Sequence, residues 1–251
     1  MKKKLILAVS VLMSCILFFS CTGPKGDEGP TGPQGPAGPE QPGLYFIRLF
    51  QNGVYSSSYT GQVESCIYEE SPISVYFTNT TPISLGVKDE LGRYRALLKF
   101  DLSSIPHKKI IVDKAELTIQ TNANNYGGGA HNVSIHKITS YWKEFEAGYQ
   151  VRVQINEIEF LAWNDMGGDF TSNTITPEVA KIDVLANSKI TVALDPEVVC
   201  DWIVNTGTNY GLLLKVENET QLNNYAEIYP SGEADKSKRP MLKVWYYTVE
   251  Q

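Results

Sequence analysis

Cysteine is scarce in this chain. There are four in 251 residues, at positions 15, 21, 66 and 200, too few for a disulfide-dense scaffold. Tandem Cys-x-x-Cys and His-Glu-x-x-His patterns are absent, which excludes a zinc ribbon and a zincin. No Gly-x-Ser-x-Gly elbow, P-loop or dinucleotide glycine fingerprint occurs. The run Gly127-Gly128-Gly129 precedes no helix that would receive a phosphate, so it reads as a flexible loop. Histidine is as rare, at His107, His131 and His136. The first follows a proline, the second a glycine run, and the third falls on the polar side of a strand. All three read as surface residues, not as an acid–base constellation. Positive charge is also in deficit. The formal charge is −6, and losing Lys2, Lys3 and Lys4 with the leader takes it to −9. Such a chain is a poor general nucleic-acid binder.

What is present begins with an address. Three lysines precede an apolar run from Leu5 to Phe19, and Ser20-Cys21 follow. This is the layout of a bacterial lipoprotein signal, with residues 1–20 as signal peptide and Cys21 as the lipidated residue. Cys15 is a rival site, but cleavage there would leave apolar Ile16 to Phe19 on the mature chain. An uncleaved anchor is the other alternative, although about 15 apolar residues is short against the ~20 of a membrane span. Thr22 follows Cys21, so an aspartate retention signal is lacking, and the expected location is the outer membrane or cell surface. Glycine then falls at 23, 26, 29, 32, 35 and 38, with proline at 24, 30, 33, 36 and 39. The period is that of collagen. Six triplets are few, so residues 21–43 read as a lipidated cysteine followed by a stiff spacer spanning roughly 55 Å, rather than as a stable trimer.

From residue 44 onward, period-two alternation dominates. Ala96, Leu98 and Phe100 share one face of a strand; Arg95, Leu97 and Lys99 share the other. The same alternation places Ala115-Leu117-Ile119, Val133-Ile135, Leu212-Leu214-Val216 and Leu242-Val244-Tyr246 on inward faces. Many short strands in ~200 residues predict an all-β domain over 44–251, a two-sheet antiparallel β-sandwich or jelly roll. One segment differs. Asp195 as a cap, Pro196 in the first turn, and Val198, Val199, Trp202 and Ile203 at helical spacing predict one short helix near 196–205, against a sheet edge and stopped by Gly207.

Four motifs in order carry a resemblance. Arg95-Ala-Leu-Leu-Lys-Phe-Asp-Leu-Ser-Ser-Ile-Pro106 with Ala115-Glu-Leu, then Trp163-Asn-Asp-Met-Gly-Gly-Asp169, then Trp202 with Asn209-Tyr-Gly-Leu212, then Arg239-Pro-Met-Leu-Lys-Val-Trp-Tyr246 resemble the DNRLRE-type domains. That group includes carbohydrate-binding module family 96. The likeness runs from about Tyr55 to the end of the chain. It implies a β jelly roll that binds polysaccharide, with alginate-like acidic polymers as the expected class.

Basic residues fit that class. Lys88, Arg93, Arg95, Lys99, Lys108, Lys109 and Lys114 lie in one stretch opposed only by Asp89, Glu90, Asp101 and Asp113. Guanidinium and ammonium groups suit uronate carboxylates. Arg95 and Lys99 are therefore candidate ligand residues, joined by Lys243 and Trp245, whose phase opposes the core residues Val244 and Tyr246. The alternatives are an ordinary solvated face for the cations and burial under residues 44–50 for Trp245. Trp142, Trp163 and Trp202 read as core. Asp165, Asp169, Glu233 and Asp235 lie in Gly-containing loops of the kind that hold a structural calcium or simply form solvated turns. Cys66 and Cys200 are a bridge or two buried thiols; spacing does not choose. The expected function is a lipid-anchored, non-catalytic module for acidic polysaccharide, with a membrane contact through the lipid and no nucleic-acid partner. A structural or adhesive surface protein is the first rival and a polysaccharide-degrading enzyme the second.

Overall fold

The computed structural model describes residues 42–249 except 57, 72–78, 89, 91, 124–129, 177–179 and 184–187. The signal segment, Cys21, the Gly-X-Y run and the Gly127–Gly129 loop lie outside the described residues. So does Asp89 of the basic stretch.

Two antiparallel sheets face one another. The first orders β1 (Pro42–Phe50), β14 (Met241–Val249), β5 (Ile110–Gln120) and β11 (Lys189–Leu194), in that sequence across the sheet. The second has eight strands. Its main path runs β10 (Ala180–Asp183), β6 (Ala130–Ile138), β12 (Leu212–Val216), β4 (Arg93–Phe100), β3 (Ile83–Val87) and β13 (Asn224–Ile228). Two strands lie off that path: β2 (Gln62–Tyr68) pairs with β4, and β9 (Phe170–Thr174) pairs with β6. The expected all-β sandwich is what forms.

Alternation explains the register. Ala96, Leu98 and Phe100 of β4 enter one core with Leu212, Leu214 and Val216 of β12, and they meet Ala115, Leu117 and Ile119 of β5 and Leu242, Val244 and Tyr246 of β14 from the other sheet. Each buried Leu, Ile, Val or Phe contributes about 1.5–3 kcal/mol of apolar burial, and a one-residue slip would turn all of them outward.

Helix α1 (Pro196–Val204) closes the core. The Asp195 carboxylate accepts from the Glu197 N–H at 2.9 Å, as a helix cap should. Val199, Trp202 and Ile203 are its buried face. Two details differ from the sequence expectation. The helix packs on β5, an interior strand, not on a sheet edge. It ends at Asn205, whose N–H donates to Asp201 O, and Gly207 falls in a following 3-10 turn over Thr206–Thr208. No described helix is long and apolar enough to cross a membrane.

Residues 139–169 add a layer that alternation alone does not reveal. This segment holds a small ribbon of β7 (Val151–Gln154) and β8 (Phe160–Ala162). It covers the outward side of the eight-stranded sheet. There Ile67, Leu97 and Leu213 form a second apolar cluster with Ile138, Trp142, Ala147 and Trp163. The indole N–H of Trp142 donates to Tyr210 O at 2.7 Å and that of Trp163 to Gly148 O at 2.9 Å. The structure also corrects the histidine reading. His131 and His136 are buried, and only His107 is exposed. His136 Nδ1 lies 2.9 Å from Thr171 O, and burial lowers its pKa.

Candidate functional site

The row Arg95, Leu97, Lys99 faces away from the main core as its alternation requires, but it does not form an open ligand face. Arg95 is only 6% exposed. Its Nε and Nη2 donate to the two carboxylate oxygens of Glu219 at 2.7 and 2.8 Å, and Nη1 donates to Gly167 O at 2.7 Å. The guanidinium also lies 5.8 Å from the Tyr149 ring and 5.5 Å from the Phe170 ring. The reason is the covering layer. Gly167 and Gly168 adopt φ of +88° and +107°, and a Cβ on Gly167 would stand 2.5 Å from Arg95 Nη1. The Gly-Gly turn therefore lets backbone close over the arginine. Asp169 shapes that turn: its Oδ1 accepts from Asp165 N, and its Oδ2 accepts from Ser140 Oγ and Asn164 Nδ2. Arg95 is an internal clamp, with each of its three guanidinium nitrogens engaged.

The wider basic stretch is dispersed for the same kind of reason: β4 and β5 belong to different sheets. Arg93 pairs with Glu69, its Nε donating at 2.8 Å, and this pairing lowers the Glu69 pKa and raises that of Arg93. Lys114 pairs with Glu116 at 2.6 Å. Lys88 lies 5.6 Å from the Tyr225 ring.

Lys243 and Trp245 sit elsewhere, on the outward side of the four-stranded sheet, which no described segment covers. Trp245 is half-buried. Lys243 Nζ stands 4.4 Å and Lys114 Nζ 5.1 Å from its ring. The β1 segment pairs beside β14, Ile47 opposite Trp245, and does not lie over it. Tyr45 and Tyr247 form an adjacent ring pair with centroids 4.6 Å apart, and the Tyr45 hydroxyl donates to Asp113 Oδ2 at 3.2 Å. A bulge in β5 between the partners of Trp245 and Tyr246 leaves Asp113 exposed at that point. The face is an aromatic platform edged by cations. Glu116 pairs with Lys114, whereas Lys243 has no ion pair among the described residues. Tyr247 was legible in the sequence, being two residues from Trp245. Tyr45 was not, because its place depends on the β1–β14 register.

Lys99 goes to a third place. It is half-buried at a cavity of about 290 Å³ lined also by Asp101, His107, Trp202, Thr206 and Asn209. Burial lowers its pKa. The four ligand residues expected together are thus divided among three sites: β4 and β14 lie in different sheets, and along β4 the Gly167 turn closes over Arg95 while Lys99, four residues on, reaches the cavity at the strand's end.

The four acidic residues considered for calcium do not assemble. Asp165 and Asp169 belong to the Gly-Gly turn. Glu233 and Asp235 belong to another loop, where Glu233 Oε1 accepts from Asp235 N and Asp235 Oδ1 accepts from Ser237 N and Oγ. No cluster of three or more metal-ligating side chains occurs among the described residues. Cys66 and Cys200 are free thiols. Cys66 Sγ donates to Ser84 O, and burial pushes its pKa up to about 12.

A buried carboxylate was missed in the sequence. Glu64 is wholly enclosed. It accepts from the Ser231 N–H and, at 2.9 Å, from Gln62 Nε2, while Glu144 Oε1 accepts from the Glu64 N–H. Burial pushes the Glu64 pKa up to about 7 and also raises that of Glu144. Such a coupled pair resembles an acid–base dyad, but the enclosed Glu64 has no substrate approach, and both its oxygens are held by protein.

No family model and no curated protein matches the chain. Among solved structures, a chain described with endo-acting O-glycanases of human gut microbiota that initiate mucin breakdown aligns at 10% identity, over 82% of this chain and 98% of its own, with a TM-score of 0.19. A score that low carries no argument about fold or function.

Proposed function

We propose that residues 44–251 form a non-catalytic module for acidic polysaccharide, held at a bacterial surface through a lipid on Cys21. The observation that carries this reading is the uncovered sheet face with Trp245, Tyr45 and Tyr247 in one surface and Lys243 Nζ 4.4 Å from the indole ring. An accessible aromatic ring accepts the apolar face of a sugar ring, and an adjacent ammonium engages a carboxylate. The leader and the Gly-X-Y spacer support the surface placement, since a stiff stalk lifts a binding module away from a bilayer.

Affinity electrophoresis of the full chain through alginate, with dextran as the neutral control, tests it. Alginate should retard the parent. Trp245→Ala should lose at least tenfold in affinity while its melting temperature moves by only a few degrees, because the side chain is half-exposed. Equal mobility of parent and variant in alginate, with both folded, removes this face from the function. Absence of retardation of the parent by any acidic polymer removes the function itself.

A further inference from the structure

Exposed large apolar side chains are not scattered evenly over this chain. Of fifteen among the described residues, five fall between Leu44 and Tyr55 and seven between Tyr141 and Met166. Concentrations of this kind mark contact sites. The second group centres on the β7–β8 ribbon, where Ile155, Ile158, Phe160 and Leu161 are all exposed, Ile158 at the tip by 86%. That tip is firmly built. Asn156 Oδ1 accepts from the N–H groups of Ile158 and Glu159 at 2.9 Å, its Nδ2 donates to Glu159 Oε2 at 2.8 Å, and Ile155 N donates to Glu159 O at 2.9 Å. An ordered turn thus holds Ile158 outward, so docking it costs little further ordering. The first group borders a groove of about 430 Å³, with residues 47–50 of β1 on one side and Tyr55, Ser56 and Tyr59 of the following loop on the other. β1 is an edge strand, paired with β14 and with no described strand on its other side. Such an edge is where another chain adds.

Charge matches the two regions. Arg48 is the only charged residue between Pro42 and Tyr59, whereas residues 141–166 carry five acids against two bases, with Glu157 and Glu159 on either side of Ile158. Arg48 and Glu157 are both exposed, and neither has an ion pair or hydrogen bond among the described residues. Each region stands exposed within one copy, so the two do not meet there. We infer that the β7–β8 tip of one copy docks in the β1 groove of a second copy, Ile158 entering beside Tyr55 and Glu157 meeting Arg48. Two tips meeting each other would set acid against acid, and entry into a bilayer would bury Glu157 and Glu159 in hydrocarbon. The contact is heterologous: each copy gives a tip and offers a groove, so association continues into a row or closes as a ring. This inference does not rest on the polysaccharide reading.

Sedimentation velocity of the full chain over a range of concentrations tests it. The parent should self-associate as concentration rises. Ile158→Asp and Arg48→Glu should each weaken that association about tenfold or more, and Arg48→Glu combined with Glu157→Arg should recover most of it. All three side chains are exposed, so melting curves should stay close to that of the parent. Disulfide trapping then locates the contact. Copies carrying Ser56→Cys mixed with copies carrying Glu157→Cys should link on oxidation well above either variant alone, with the parent as background. A parent that stays monomeric throughout overturns the inference, as does association unchanged in folded Ile158→Asp. Glu157→Cys linking to itself as readily as to Ser56→Cys also overturns it, in favour of a tip-to-tip contact. A monomeric parent that binds phosphatidylcholine vesicles through Ile158 overturns it in favour of a membrane contact.

Discussion

The two sheets turn very different outer faces to the world. That of the eight-stranded sheet carries Ile67, Leu97 and Leu213 under the 139–169 layer, with Arg95 locked between Glu219 and Gly167 O. That of the four-stranded sheet carries Lys243, Trp245 and Tyr247 with no described segment over them. Both faces arise from the same device, a strand with its apolar side turned inward. The difference teaches that a cation on the outward side of a strand is a ligand group only where nothing packs over it. Beneath a cover the same charge must find a partner inside the protein.

The sharpest way to break the comparison is to remove the clamp. Arg95→Ala leaves Glu219 charged and largely enclosed, so a loss of roughly 3–5 kcal/mol is expected by urea denaturation. Replacing Arg95 and Glu219 together with methionine should recover most of it, because the uncompensated charge goes too. A loss below about 1 kcal/mol for Arg95→Ala would mean that the covering layer does not depend on the arginine.

A second contrast concerns ionisation in the interior. Glu64 holds its proton up to about pH 7 in the folded chain, against a reference of 4.5 unfolded. Its contribution to stability is therefore full below the unfolded value and is lost as pH rises through that window, by roughly 3 kcal/mol in total. Glu64→Gln should flatten the fall in stability between those limits. A slope the same in the variant as in the parent would assign the effect to other groups.

The smallest effect should come from the open face. Lys114 pairs with Glu116 but stays about half exposed, so Lys114→Ala should change stability by less than about 1 kcal/mol. A cost comparable to that of Arg95→Ala would abolish the distinction between the two faces.

Much of this was legible beforehand for a physical reason. Alternation depends only on neighbours two residues apart, so Ala96, Leu98 and Phe100 could be turned inward, and Trp245 outward, without knowing what they meet. The helix was legible because Asp195, Pro196 and the Val199–Ile203 spacing act within a single turn or two. The pairing of Arg95 with Glu219 spans 124 positions, and no local pattern announces it. The same holds for Tyr45 beside Tyr247 and for Ser231 N at Glu64. The basic stretch misled because proximity in sequence does not survive a crossover between sheets: β4 and β5 are consecutive strands, yet Lys99 and Lys114 end on opposite sheets.

The sequence by itself therefore determined the all-β class, which residues of the clearly alternating strands turn inward, and the span of α1, all set by short-range sterics and the drive to bury apolar side chains. Tertiary structure alone decided which outward face is covered and which cations are spent on internal carboxylates. Those outcomes depend on where residues 139–169 come to rest, and that is fixed by long-range packing of Trp142, Trp163 and Leu97, which no periodicity encodes.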